Sequence, residues 1–183
     1  TSTEHASGTD RIAELARRFD WDEQQIVVNV QGDEPLISPL CIAQTARLLA
    51  WHPEATIATL MTPLQSEAEF RDPNFAKVVT DKEGWALYFS RAPIPWPRDG
   101  GMPRAVMRHI GLYAYRAGGL RAISSASPCA LEEVEKLEQL RALWLGHSII
   151  VEQAAEPPAP AVDTEEDLAK IRRYLERSPR VTA

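Results

Sequence analysis

Gln31, Asp33 and Glu34 follow at once on the apolar run Ile26 to Val30, with Gly32 among them, so an amide and two carboxylates stand at a strand end. Four of those five run residues are apolar and β-branched, the pattern of a strand buried on both faces of a parallel sheet. Open parallel sheets bind ligands at their C-terminal strand ends. A carboxylate there suits a hard divalent cation, because Mg²⁺ is commonly held by one or two carboxylates together with substrate phosphates. Asp33 is the first candidate ligand. A second carboxylate, Asp163, stands just before the acidic run Thr164 to Asp167. It either caps a helix N-terminus or, if it faces Asp33, completes a metal site. Taken alone, Gly32 to Pro35 is equally a turn made of turn-forming residues.

Arg91 follows a strand pattern from Trp85 to Ser90, on the face shared by Trp85, Leu87 and Phe89. A guanidinium where an apolar face ends either receives a carboxylate or phosphate in a cleft or caps a strand at the surface. From Val106 to Arg116 the residues alternate. Arg108, Ile110, Leu112 and Ala114 share one face, and His109, Gly111, Tyr113 and Tyr115 share the other. A lone strand histidine is more often structural than catalytic. Glu135, Glu138 and Gln139 recur at helical spacing beside an apolar stripe of Leu131, Val134, Leu137 and Leu140. They form a solvated face or a set of acceptors for sugar hydroxyls.

The elements that must position these groups are legible in outline. Thr9 or Asp10 caps a helix through Ile12, Leu15, Ala16 and Phe19. Ser38-Pro39 opens a second helix, Ala55 to Met61 is a strand, and Ser66 to Glu69 is a capping box for a short helix. Lys77 to Thr80 and Trp85 to Ser90 flank Asp81-Lys82-Glu83-Gly84 as a hairpin. Leu131 to Leu145 reads as one long helix, Ser148 to Glu152 as a strand, and Thr164 as the start of a charged helix. Strands alternate with helices around one antiparallel excursion. That is a three-layer α/β arrangement with a mixed sheet.

With 183 residues, 44% hydrophobic and 25% charged, the chain can build one well-packed core. A net charge of -6 and a pI near 5.3 argue against a nucleic-acid surface. Sixteen arginines against four lysines suit bidentate recognition of anions. Cys41 and Cys129 support neither a disulfide framework nor a zinc site, which points to a reducing cytoplasm. No apolar run approaches the roughly 20 residues of a membrane span.

Five segments then carry a resemblance. Ser7-Gly8-Thr9-Asp10-Arg11, Val28 to Pro35, Tyr88 to Trp96, Arg108 to Tyr113 and Leu137 to Arg141, closed by Val162-Asp163-Thr164 and Asp167-Leu168, resemble the 3-deoxy-manno-octulosonate (Kdo) cytidylyltransferases, in family order over nearly the whole chain. The resemblance implies a Rossmann-like nucleotidyltransferase that couples CTP to Kdo. It releases pyrophosphate and yields CMP-Kdo for lipopolysaccharide synthesis, as a cytoplasmic homodimer using Mg²⁺. By that resemblance Asp33 and Asp163 hold the metal. Gln31, Arg91, His109, Glu135 and Gln139 line the sugar-acid pocket, with Arg91 on the sugar carboxylate. Ser7, Gly8 and Thr9, with Arg11 nearby, recognise cytosine and ribose. Residues 77–116 are expected to carry the dimer contacts.

Members of that family open with a strand and a basic phosphate-wrapping loop. Neither is present here, so the 183 residues are expected to be one nucleotidyltransferase domain without its N-terminal portion. No G-x-G-x-x-G or Walker pattern replaces that loop. A cytidylyltransferase for another acidic sugar, of the sialic-acid type, and a truncated non-catalytic sugar-binding or dimerisation protein are the competing readings.

Overall fold

The computed structural model describes every residue except 4, 6, 7, 104, 161, 163 and 178–183. In chain order the elements are α1 (Gly8–Arg18), β1 (Ile26–Asn29), α2 (Pro39–Trp51), β2 (Ile57–Pro63), α3 (Glu67–Arg71), β3 (Lys77–Thr80) and β4 (Ala86–Ser90). There follow β5 (Met107–Arg116), α4 (Ala117–Ser125), α5 (Ala130–Glu135), α6 (Gln139–Trp144), β6 (Ile149–Gln153) and α7 (Glu165–Arg177). The strands form one mixed sheet ordered β4-β3-β5-β2-β6, with β1 paired to β5 beside this path. β2 runs parallel to β6, and β5 is antiparallel to β1, β2 and β3. The C-terminal ends of β1 and β2 therefore point the same way.

Helices cover both faces, as a three-layer domain requires. On one face Ala13 and Ala16 of α1, Leu120 and Ile123 of α4, and Leu140 of α6 pack with Ile57, Phe89, Tyr115 and Ile149. On the other, Cys41, Leu48 and Leu49 of α2 pack with Ala58, Leu60, Ile110, Leu112 and Ile150. Successive residues of β2 and β6 thus serve opposite cores, which is why both strands read as unbroken apolar runs.

Local signals set several boundaries. Ser38 accepts from Leu40 N and Ser66 from Glu69 N, capping α2 and α3. Asp81 Oδ1 accepts from the amides of Glu83 and Trp85, shaping the β3–β4 loop. Thr164 and Asp167 cap α7 reciprocally through side chains and amides.

Three expectations are corrected. Among the described residues β1 is not a doubly buried parallel strand: it pairs antiparallel with β5 and no other strand, and Ile26, Val27 and Val28 are only half-buried. The long helix is two short ones, because Lys136 adopts a left-handed conformation (φ 52°, ψ 46°) that ends α5. The apolar stripe fails with it, since Leu131 and Val134 are exposed while Leu137 and Leu140 are buried. Opposite the step from Val79 to Thr80 in β3 the partners jump from Tyr88 to Ala86, so Leu87 is surplus in β4 and the expected face breaks, leaving Leu87 exposed and Phe89 buried. One helix, α4, has no sequence signature, because Gly118 and Gly119 open it. A Cβ at Gly119 would come within 2.1 Å of Thr56 Cγ2, so glycine is what allows α4 to lie against the residue that leads into β2.

Candidate active site

Asp33 and Gln31 leave the C-terminal end of β1, where the sequence places them. Asp33 is exposed, and its backbone carbonyl accepts from Val162 N at 2.8 Å. Asp163 itself lies outside the described residues, as does Ser7. No group of three or more His, Cys, Asp or Glu gathers as a metal cluster among the described residues. The oxygen chemistry of a carboxylate at a strand end still fits a hard divalent cation that takes its remaining ligands from phosphate and water.

Gly8 is the first residue of α1 and abuts the end of β1. A Cβ there would stand 3.3 Å from Gln31 Oε1, 3.5 Å from Gln31 Nε2 and 3.8 Å from Asn29 Nδ2. Glycine lets the helix terminus approach these two amides. The next residue, Thr9, donates to Glu138 Oε2 at 2.6 Å and lines one small cavity with Tyr115. One side chain thereby joins α1 to the α5–α6 junction. Gln139, next to Glu138, is buried with Thr9 and Tyr115 beside it, and its Nε2 has no hydrogen-bond partner. Arg11 points elsewhere: its guanidinium reaches Thr1 Oγ1 and Ser2 O.

An aromatic ladder lines the same sheet face. Phe89 meets the His109 ring edge-on at 4.9 Å, His109 meets Tyr113 at 5.2 Å, and Tyr113 stacks on Tyr115 at 5.6 Å. Burial holds the phenols of Tyr113 and Tyr115 above the ordinary tyrosine range, so both remain protonated donors. Burial, helped by the charge of Arg108, pushes His109 down to about 3. The ring is therefore neutral. Thr59 Oγ1 lies 2.8 Å from Leu112 O, 3.0 Å from Ile110 O and 3.0 Å from His109 Nε2. Its single proton goes to a carbonyl, so it accepts from His109, which assigns the imidazole proton to Nε2.

Arg91 and Glu135 meet, in a cluster centred on the peptide of residue 91. The Arg91 amide donates to Glu135 Oε2 at 2.8 Å, while its carbonyl accepts from the Lys77 ammonium at 2.7 Å. Glu135 Oε1 takes the Ser90 hydroxyl at 2.6 Å. The guanidinium donates to the carbonyls of Glu135, Pro73 and Lys136, which leaves two of its five N–H groups for another acceptor. Lys77 is fully buried, and burial lowers its pKa; it also donates to Asp72 O and Phe75 O, so all three of its protons are used. This cluster pins the left-handed turn at Lys136, from which Glu138 and Gln139 extend.

The sequence thus marks Gly8, Thr9, Gln31 and Gln139, which the fold gathers around the first turn of α1, and His109, which stands further along the aromatic ladder, beyond Tyr113. It passes over Lys77, Asn29, Thr59 and the fastening role of Glu138. Only the shared face of His109, Tyr113 and Tyr115 hinted at the ladder.

The chain matches the family model described as cytidylyltransferase over residues 1–149. A protein of Polynucleobacter necessarius subsp. necessarius named 3-deoxy-manno-octulosonate cytidylyltransferase is 51% identical over 180 residues, covering 97% of this chain and 71% of the relative. One of the same name from Pseudomonas syringae pv. tomato is 53% identical over 184 residues, covering 96% and 72%. Among solved structures, a CMP:2-keto-3-deoxy-manno-octonic acid synthetase complexed with CTP superposes with a TM-score of 0.85 at 37% identity, over 97% of this chain and 71% of that one. A 4-diphosphocytidyl-2C-methyl-D-erythritol synthase, at 14% identity and a TM-score of 0.52 over 91% and 63%, shares the fold alone.

Proposed function

Because this chain belongs to the cytidylyltransferase family of the 3-deoxy-manno-octulosonate enzymes, we propose that it couples CTP to Kdo, giving CMP-Kdo and pyrophosphate. The geometric observation that supports this most is the Thr9–Glu138 bond. It brings the α1 segment matched to nucleotide recognition against the Glu138–Gln139 segment matched to the sugar acid. The two substrates would then meet over the ladder of His109, Tyr113 and Tyr115.

In this reading the anomeric hydroxyl of Kdo attacks the α-phosphorus of CTP in line, forming the new O–P bond as the bond to pyrophosphate breaks. Such transfers rest on positioning and charge neutralisation. Asp33, with Asp163 as second ligand, would hold a divalent cation; Mg²⁺ is the ion suited to oxygen donors and phosphate, and when bound it neutralises phosphate charge. Gly8 and Thr9, together with Ser7, would present the helix N-terminus to the nucleotide, with Arg11 at the edge of this segment. Gln31, His109, Glu135 and Gln139 would face the sugar acid. His109 would offer a neutral ring rather than a cation, and Arg91 would meet the sugar carboxylate with its two unspent N–H groups.

No helix among the described residues is long and apolar enough to cross a membrane. A cytoplasmic role feeding lipopolysaccharide synthesis belongs to the same proposal. So does a single domain whose excursion, residues 77–116, carries homodimer contacts; the exposed Leu87 and Trp96 support that placement. Sedimentation equilibrium of the wild type and of Leu87→Asp reads it directly, and two monomers would count against it.

Pyrophosphate release with CTP, Kdo and Mg²⁺ tests the activity. It should be measured for this chain and for a form extended N-terminally to the length of its relatives. We expect CTP to be used over UTP, and Kdo over sialic acid. Equal turnover of sialic acid would favour the sialic-acid type of enzyme. CTP-independent binding of Kdo without pyrophosphate in either form would favour a sugar-binding protein.

A further inference from the structure

Asn29 is the last residue of β1 and is 4% exposed, yet its Nδ2 has no hydrogen-bond partner among the described residues. An unpaired amide donor in the interior is costly, so each such group calls for an explanation. Its surroundings supply one. Nδ2 lies 3.8 Å from where a Cβ of Gly8 would be, at the first turn of an 11-residue helix whose free amides and dipole favour an electron-rich partner. Gln31 approaches Gly8 from the same strand end. Across β5 the Cα partner of Asn29 is Tyr113, in the middle of the aromatic ladder. Gln139 Nε2, the other unpaired buried donor among the described residues, borders Thr9 on the same helix turn. Two amides with unused protons thus converge on one helix start.

We infer that Asn29 is a further substrate-binding residue, whose Nδ2 donates to an uncharged oxygen acceptor, a pyrimidine carbonyl or a sugar hydroxyl, of one of the two substrates. This rests on the cytidylyltransferase reading and adds to it a residue at the base of the site. The unused donor is retained because the ligand, not the protein, completes its bonding. A residue serving only the fold would show the reverse, with its bonds made in the ligand-free protein.

That difference gives the test. Asn29→Leu keeps the approximate volume and removes the unpaired donor, and Asn29→Asp keeps the shape and exchanges donor for acceptor. Melting temperatures of the ligand-free proteins are compared first. Calorimetric titrations with CTP and Mg²⁺, and separately with Kdo, then tell which substrate carries the oxygen. The expected result is a ligand-free Asn29→Leu at least as heat-stable as wild type, with affinity for one substrate reduced about tenfold, the loss of one buried hydrogen bond. Asn29→Asp should lose affinity for the same substrate. Affinities for both substrates within twofold of wild type in either variant would overturn the inference while leaving the family reading intact. If Asn29→Leu melts lower than wild type, Asn29→Asp decides: weakened binding at unchanged melting temperature supports the inference, and unchanged binding overturns it. A wild type that binds neither substrate would overturn the reading and the inference together.

Discussion

Val162 donates its backbone amide to the carbonyl oxygen of Asp33 at 2.8 Å, fastening the start of the C-terminal segment to the end of β1. Main chain rather than carboxylate makes this bond, so the Asp33 side chain stays exposed and available. With Asp33 as the proposed cation ligand, Asp33→Asn should therefore cut pyrophosphate release on the order of 100-fold or more, by removing that negative charge. Thermal stability should stay within about 0.5 kcal/mol, as for other surface substitutions. Parallel losses of melting temperature and turnover would show that Asp33 serves the fold.

His109 sets an acid limit on stability. Its pKa falls from the ordinary 6.5 to about 3 in the fold, so between those values the unfolded chain holds a proton that the folded chain lacks. Unfolding free energy should then rise with pH through this window, by up to about 1.4 kcal/mol per pH unit from this group, and level off above it. Urea titrations at pH 4, 5, 6 and 7 should show a shallower slope for His109→Gln than for wild type. Identical slopes would refute the buried neutral imidazole.

Lys77 should be a keystone for stability although it contacts no substrate in this reading. Lys77→Met strips a donor from the carbonyls of Asp72, Phe75 and Arg91, and should cost about 2–4 kcal/mol in chemical denaturation. Arginine should not restore it, because a planar fork cannot reproduce three donors from one atom. Full stability in Lys77→Met would mean that water replaces the ammonium.

Gly119→Ala should destabilise by about 1–3 kcal/mol, because the added carbon meets Thr56 Cγ2 at 2.1 Å. In a Thr56→Ser background the methyl is gone, while the hydroxyl that faces His147 Nδ1 at 3.2 Å remains. There the same change should become neutral or stabilising by up to about 1 kcal/mol, the helix propensity of alanine over glycine. A double-mutant cycle reads the reversal, and additive effects would contradict the contact.

What the sequence disclosed depended on how local the cause was. Ser38-Pro39, Ser66 and the Asp81 loop carry their own capping and turn chemistry, and each stands where it is expected. Gln31 and Asp33 were legible because a strand pattern ends abruptly in polar groups. The break at Lys136 was hidden, since lysine carries no left-handed signal and the turn is held by the distant guanidinium of Arg91. α4 was hidden by Gly119, whose reason lies in the distant Thr56, at the entry to β2. The unpaired amide of Asn29 has no local signature at all, because only the folded packing removes its partners.

The irregularity in β5 fixes a counting rule for the candidate site. Opposite the step from Thr59 to Leu60, the partners jump from Tyr113 to Ile110, so Gly111 and Leu112 are surplus. The surplus is an even number, and side chains in a strand change sides at every residue. His109 therefore still faces Phe89 and Tyr113, as it would with no surplus. Deleting both residues would shorten the site and keep its imidazole, whereas deleting only one would send His109 toward α2 and bring Arg108 into the aromatic ladder. Length variation at this point is tolerable only in pairs.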